Sequence, residues 1–167
     1  LSEEDKQTYR ELTEKLAELS LKFNQNSLAA TNAFTLHITD SSKVAELPAY
    51  VREGMAAEAK ERDMEGWVVT LQAPSMIPFM TFSSDRELKE KLWRAYNSRS
   101  LGGEFDNAAI VKEIADNRLK LANLLGYATY ADYVLEERMA ENAPAVNGFL
   151  AELLDRAVDA AQADVKS

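Results

Sequence analysis

The chain has 167 residues, of which 46% are hydrophobic, so it is long and apolar enough to form a folded core. Its formal net charge is −9, with one histidine and no cysteine. Because an acidic surface repels phosphate backbones, we expect no nucleic-acid partner. The lack of cysteine excludes disulfides, thiolate metal ligands and a cysteine nucleophile. No apolar run reaches the roughly 18 residues that span a bilayer, so no membrane partner is expected either.

The first predicted element is a long helix. Ser2 followed by Asp5 is close to a capping box, and the acidic residues nearby suit the positive end of a helix dipole. Apolar residues then recur every three or four positions, which is typical of one buried helix face. They are Tyr9, Leu12, Leu16, Leu19 and Phe23.

A two-residue period follows and predicts strands. Residues 34–39 alternate apolar and polar side chains, and in residues 66–72 Trp67, Val69 and Leu71 alternate with Val68, Thr70 and Gln72. Between them, Pro48 favours the first turn of a helix that extends to about Arg62. We expect the two strands to pair as a small β element.

The rest of the chain predicts helices. The segment Met76 to Met80, between prolines, indicates a turn or a short helix. The expected helix starts are Ser84 with Glu87 as a capping box, Asp106, Thr129 with Asp132, and Pro144, and the expected stops are Gly102-Gly103 and Gly126. The predicted fold class is mainly α, with about five to six helices and a small two-stranded β element.

The two ends of the chain suggest a segment of a longer protein. The chain begins at Leu1 rather than at a methionine, within a helix-start signal. The last predicted helix reaches Ser167 without a glycine or proline stop. We therefore expect residues 1–167 to be one helical segment that is truncated at both ends.

The sequence contains few of the ligands that a catalytic metal site requires. A hydrolytic zinc site needs several nitrogen or carboxylate ligands and a carboxylate that activates water. His37 is the one histidine and lies in a predicted strand, so a surface or packing role is favoured. No H-E-x-x-H motif and no Glu-x-x-His pair of the di-iron type is present. We predict no metal-binding, cofactor-binding or catalytic residue in residues 1–167.

Other candidate groups are weak. Glu113 with Asp116, and Asp132 with Glu136, share helix faces, but 28 acidic residues produce such pairs by chance. No G-x-S-x-G and no phosphate-binding loop motif occurs. Arg94 and Arg99 lie about one turn apart and have the fork geometry that binds a peptide carboxylate. Pairing with nearby acidic residues is the favoured alternative, so neither arginine is a predicted site residue.

Taken in order, several stretches resemble the zinc metallopeptidase family of thimet oligopeptidase, oligopeptidase A and peptidyl-dipeptidase. One set is Gly66-Trp67-Val68-Val69-Thr70-Leu71, Pro74, Pro78-Phe79-Met80, Arg86-Glu87-Leu88, Lys91, Arg94-Ala95-Tyr96 and Arg99. The second set is Asp106-Asn107, Ile110, Glu113-Ile114, Arg118, Leu124-Leu125-Gly126-Tyr127, Tyr130-Ala131-Asp132-Tyr133 and Met139-Ala140. The resemblance covers nearly the whole chain, and Asn117 departs from the apolar residue expected at that position.

The resemblance implies a parent enzyme several times longer, built from two helical lobes around a deep channel that admits short peptides. The zinc motif of such a parent lies beyond Ser167. This segment would then be part of the N-terminal, channel-wall region, with short peptides and the rest of the polypeptide as partners. Its two strands would line the channel or only fasten helices together.

Three alternatives stay open at this point. The parent is either a peptidyl-dipeptidase or an oligopeptidase that cuts internally. The cytoplasm is the favoured compartment, and the periplasm is the other possibility. A different class of function is a stand-alone helical binding or scaffold module without catalytic activity.

Overall fold

A computed structural model describes residues 1–166. Its helices are α1 (Glu3–Ala33), α2 (Ala49–Glu61), α3 (Ala73–Phe82), α4 (Arg86–Asn97), α5 (Ala108–Leu124), α6 (Tyr130–Leu135) and α7 (Ala143–Lys166), and its strands are β1 (Leu36–Ile38) and β2 (Trp67–Val69). The mainly helical fold class with a small two-stranded sheet is thereby confirmed. The described residues contain seven α-helices, whereas the sequence predicts about five to six. The additional helix is α3, which forms from the segment around Met76 and has Pro74 in its first turn.

The chain divides into two compact units. One comprises Ser20–Val111, and the other comprises Leu1–Leu19 together with the residues from Lys112 onward. Within residues 1–166, no helix combines the length and the apolar composition that crossing a lipid bilayer requires.

The sheet lies in the unit of residues 20–111. Strands β1 and β2 pair antiparallel, with Leu36 opposite Val69 and Ile38 opposite Trp67, which confirms the predicted pairing. Gly66 precedes β2 with a φ of +90°. A Cβ at this position would lie 2.4 Å from the carbonyl oxygen of Ile38, so glycine is required where the chain enters the second strand.

The core of this unit forms between the sheet and helices α2 to α4. Phe79, Leu92 and Val69 of β2 are fully buried members of one apolar cluster. The other buried members are Ile38, Val44, Leu47, Val51, Met55, Leu71 and Leu88. Burial of this apolar surface is the main stabilising term for the unit.

The start of α4 corrects one sequence prediction. The helix does not begin with a Ser84–Glu87 capping box, since Asp85 is the N-cap and its carboxylate accepts a hydrogen bond from Leu88 N at 3.0 Å. Ser84 instead donates its amide N–H and its hydroxyl to Glu46. Glu46 lies 38 residues earlier in the chain, so a local motif could not reveal this competition.

The unit of residues 1–19 and 112 onward shows the caps that the sequence predicts. Ser2 and Asp5 form reciprocal hydrogen bonds at the start of α1. Thr129 and Asp132 form a complete capping box at α6. Gly126 follows α5 with a φ of +93°, the conformation typical of a helix stop.

Candidate functional site

His37, the one histidine, lies on β1 with an exposed side chain. Its Nε2 is 2.6 Å from the carbonyl oxygen of Glu65, so this nitrogen donates a hydrogen bond when it carries the proton. The contact fastens the side chain to the turn before β2. Val68 and Val69 of β2 are fully buried, which supports a packing role for that strand, while peptide pairing at the sheet stays a prediction.

The acidic and imidazole groups do not assemble a metal centre in the described part of the chain. No group of three or more His, Asp or Glu side chains among residues 1–166 has an arrangement that could hold a metal ion. A zinc site therefore does not fit the donors present here, and no reaction step is derived through such an ion.

The carboxylate pairs noted in the sequence have other contacts. Asp132 accepts hydrogen bonds from both the amide and the hydroxyl of Thr129, as the capping box requires. Glu136 accepts a hydrogen bond from the hydroxyl of Tyr127. Glu113 lies 3.9 Å from Lys15 at the surface. Each of these three groups has a structural partner.

The two arginines of the sequence hypothesis differ. Arg94 is exposed and its Nε donates to Glu90 at 2.7 Å, one turn earlier on α4. Arg99 makes no ion pair with any carboxylate among residues 1–166. Its guanidinium lies 3.6 Å from the ring centroid of Tyr96, and its Nε donates to the carbonyl oxygen of that tyrosine at 2.8 Å. The acid pairing expected for both arginines is therefore correct for Arg94 and wrong for Arg99.

Arg99 lies at a pocket of about 390 Å³ within the unit of residues 20–111. The pocket is lined mainly by apolar side chains from α1, the segments that follow α1 and β2, α4, and the loop after α4. Thr31 of α1 accepts a hydrogen bond from Arg99 Nη1 at 3.0 Å. The ring contact and the two hydrogen bonds hold the guanidinium in one position at the edge of the pocket.

The loop after α4 is fixed from its other end by Asp106. One carboxylate oxygen accepts from the amide N–H of Gly102 at 3.0 Å and from that of Ala108 at 3.1 Å. These backbone hydrogen bonds hold the pKa of Asp106 below its ordinary value of 3.8. Ionised Asp106 thus ties the loop that borders the pocket to the start of α5. The residue directly before the helix is Asn107, so Asp106, the cap that the sequence predicts, lies one position ahead of the capping position.

A second pocket, of about 430 Å³, lies in the other unit. Tyr127, Tyr130 and Tyr133 line it, and their neighbouring rings are inclined to each other with centroids 5.3 and 5.9 Å apart. Arg118 already lies 5.1 Å from the Tyr130 centroid. The Tyr130 ring therefore already contacts a cation of the same unit.

Comparison with known proteins assigns the class to which this fold belongs. Residues 79–167 match Peptidase family M3. The match covers more than half of the chain, and the chain therefore belongs to this family. The resemblance seen in the sequence is confirmed.

Curated relatives are peptidases. Oligopeptidase A of Salmonella typhimurium is 36% identical over 162 residues, which are 94% of this chain and 24% of that protein. Oligopeptidase A of Escherichia coli has the same identity and coverage. Dipeptidyl carboxypeptidase of Salmonella typhimurium is 32% identical over 152 residues, 90% of this chain and 22% of that protein. The chain thus spans about a quarter of the length of these curated relatives.

Proposed function

We propose that residues 1–167 belong to a zinc-dependent metallopeptidase that cleaves short peptides, of oligopeptidase or peptidyl-dipeptidase type. The observation that carries this proposal is membership of Peptidase family M3. Relatives named oligopeptidase A and dipeptidyl carboxypeptidase both align with nearly all of the chain, so the two types of activity stay open.

Within that enzyme, residues 1–167 form a helical segment of the N-terminal, channel-wall region and contribute structural support rather than catalysis. The few metal ligands in this chain support a structural rather than a catalytic role. One imidazole, fixed to a backbone carbonyl, supplies neither the several ligands nor the water-activating carboxylate of a hydrolytic zinc site. The zinc ligands and the catalytic residues then lie in the rest of the same polypeptide, and no catalytic, metal-binding or cofactor-binding residue lies in this segment.

The partners of the enzyme are short peptides and the remainder of its own chain. A nucleic-acid partner is disfavoured by the net charge of −9. A cytoplasmic location is favoured over the periplasm, since one relative is named "Probable cytosolic oligopeptidase A".

The proposal has a direct test in the coding sequence and the purified protein. An H-E-x-x-H motif encoded downstream of residue 167, with peptide hydrolysis that a zinc chelator abolishes and added zinc restores, is the expected result. Residues 1–167 alone, assayed at the same concentration, should hydrolyse no peptide and retain no stoichiometric zinc after dialysis. A stop codon immediately after residue 167 would instead support the stand-alone helical binding or scaffold module.

A further inference from the structure

The guanidinium of Arg99 is held in place but its charge is not neutralised within the described residues. It uses Nε–H for the Tyr96 carbonyl and one Nη1–H for Thr31, while the flat face lies over the Tyr96 ring. A guanidinium has five N–H donors, so three remain for another group. No carboxylate among residues 1–166 lies within ion-pair distance of it, whereas Arg94, in the last turn of α4, has Glu90.

The pocket beside Arg99 has an apolar wall. Its volume of about 390 Å³ falls in the range of small-molecule sites. The apolar lining residues are Ala30, Ala33, Phe34, Leu71, Ala95 and Phe105. A fixed cation at the edge of an apolar cavity suits a ligand that joins an anionic group to a hydrocarbon group.

Ser100 also belongs to this lining. Its side chain is 9% exposed, and its hydroxyl is buried without a hydrogen-bond partner in the part of the chain that the structure describes. A buried hydroxyl that makes no hydrogen bond is energetically unfavourable and is uncommon in folded proteins. An acceptor that enters the pocket next to Arg99 would provide the missing partner after a rotation of this side chain.

The charges around the pocket favour a monoanion. Arg99 supplies a single positive charge, and the exposed Glu104 also lines the pocket. A doubly charged phosphate would leave one negative charge uncompensated next to Glu104 and against apolar walls. A carboxylate matches both the single charge and the planar fork of the guanidinium.

We propose that the pocket at Arg99 binds a carboxylate attached to an apolar group, and that its natural ligand is the C-terminal residue of a peptide. The ligand chemistry follows from the pocket itself, while the choice of a peptide as its source rests on the proposed peptidase function. Arg99 is then a binding residue for the free carboxyl end of a peptide, remote in sequence from the proposed zinc motif.

The test measures binding of N-acetyl-leucine and of N-acetyl-leucinamide to the native full-length polypeptide by calorimetric titration. The two probes share the apolar group and differ in the carboxylate. We expect the acid to bind at least about tenfold more tightly than the amide, because only the acid forms the charge-assisted pair with Arg99. Equal affinities for the two probes would overturn the proposal.

Three variants assign the acid preference to Arg99. Arg99→Gln should remove the preference, Arg99→Lys should retain only part of it because the fork is lost, and Arg94→Gln should leave it unchanged. Arg94→Gln is the matched control, since it removes the same charge five residues away, at the end of α4. Persistence of the full preference in Arg99→Gln contradicts the proposal. Circular dichroism shows whether Arg99→Gln is folded. If it is not, the proposal is tested by the comparison of acid and amide on the native protein together with the reduced acid preference expected for Arg99→Lys.

The outcome for the pocket is separable from that for the enzyme. Chelator-sensitive hydrolysis of short peptides, offered both with a free and with an amidated C-terminus, tests the peptidase function whichever end group the enzyme needs. Hydrolysis combined with equal binding of the two probes would leave the peptidase function standing and remove the carboxylate pocket. Absence of hydrolysis combined with an Arg99-dependent acid preference would support the carboxylate pocket and contradict the peptidase function.

Discussion

Asn26 of α1 donates a hydrogen bond from Nδ2 to Oδ1 of Asn107, 81 residues later, across 3.0 Å, and both side chains are buried. Asn107 in turn donates through its own Nδ2 to the carbonyl oxygen of Phe23 at 3.1 Å and to the hydroxyl of Ser27 at 3.2 Å. A single amide thus connects one face of α1 to the residue before α5. Buried polar networks of this kind specify one arrangement of helices because each unpaired member is costly.

Asn107→Ala should therefore destabilise the unit of residues 20–111. The substitution removes the hydrogen bonds of Asn107 to Asn26, Ser27 and the Phe23 carbonyl, and Asn26 keeps only its longer hydrogen bond of 3.4 Å to the Asp106 carbonyl oxygen. We expect a loss of about 2–3 kcal/mol in the free energy of unfolding. Urea denaturation followed by circular dichroism measures this loss. Asn117→Ala is the control, since Asn117 makes only a local hydrogen bond to the Glu113 carbonyl within α5. Its effect should stay within about 0.5 kcal/mol, and equal effects of the two substitutions would argue against the network.

Gly66→Ala should be strongly destabilising. Alanine at a φ of +90° is strained, and its Cβ would lie 2.4 Å from the Ile38 carbonyl oxygen, a backbone atom that cannot move without disturbing β1. We expect a loss of more than about 2 kcal/mol, measured by the same denaturation.

Gly54 provides the matched comparison within the same unit. It lies inside α2, and a Cβ there would meet no atom within 4 Å. Gly54→Ala should stabilise the protein by about 0.5–1 kcal/mol because glycine has the larger conformational entropy in the unfolded chain. A destabilisation by Gly54→Ala equal to that by Gly66→Ala would contradict the contact geometry.

The ion pair of Lys43 and Asp85 should make stability depend on pH in the acid range. The Lys43 ammonium, 2.6 Å away, and then the Leu88 amide hold the pKa of Asp85 below its ordinary value of 3.8. The native state therefore binds a proton at this carboxylate less readily than the unfolded chain does. The stabilisation is present above the unfolded-state pKa and is lost as the pH falls through the lower native value.

In Asp85→Asn, the free energy of unfolding should consequently depend less on pH in the acid range. We expect the free energy of unfolding of the wild type to fall more steeply than that of the variant below about pH 4. Denaturation curves between pH 2 and 7 provide the measurement, with Glu61→Gln, an exposed carboxylate at the end of α2, as the control. Parallel pH profiles for the wild type and Asp85→Asn would show that the ion pair contributes nothing.

The features that could be predicted from the sequence are local ones. The caps at Ser2 and Thr129 depend on partners three residues away, and the strand pairing follows from a two-residue period on both sides of one helix. The helix α1 extends to Ala33, ten residues past the predicted apolar stripe. Its last turns contain the buried polar residues Asn26 and Thr31, whose partners lie 68 to 81 residues away.

The candidate pocket could not be predicted from the sequence, because it too depends on partners that are distant along the chain. Arg94 and Arg99 share a residue type and are five positions apart, so a sequence pattern treats them alike. Only the folded chain brings Thr31 and the Tyr96 ring to one of them and Glu90 to the other. The buried hydroxyl of Ser100 likewise has no signal in the sequence, since it depends on packing around the loop.

The apolar face of α7 leads to a prediction about association. Phe149, Leu150, Leu153 and Leu154 lie on one side of the helix and are exposed by 62, 53, 47 and 64%, respectively. Contiguous apolar patches of this kind are uncommon on monomeric proteins. We expect residues 1–167 to self-associate at micromolar to millimolar concentrations, because pairing removes this surface from water.

Leu153→Lys should shift this equilibrium towards the monomer by placing a charge in the centre of the patch. Gln162→Lys adds the same charge about 2.5 helical turns further along, on the opposite face, and should leave the association unchanged. Sedimentation velocity over a range of concentrations distinguishes the two variants. Since the patch is apolar, association should persist at high salt, whereas association through surface charges would weaken. A wild-type chain that stays monomeric throughout would show that the exposed face does not drive association.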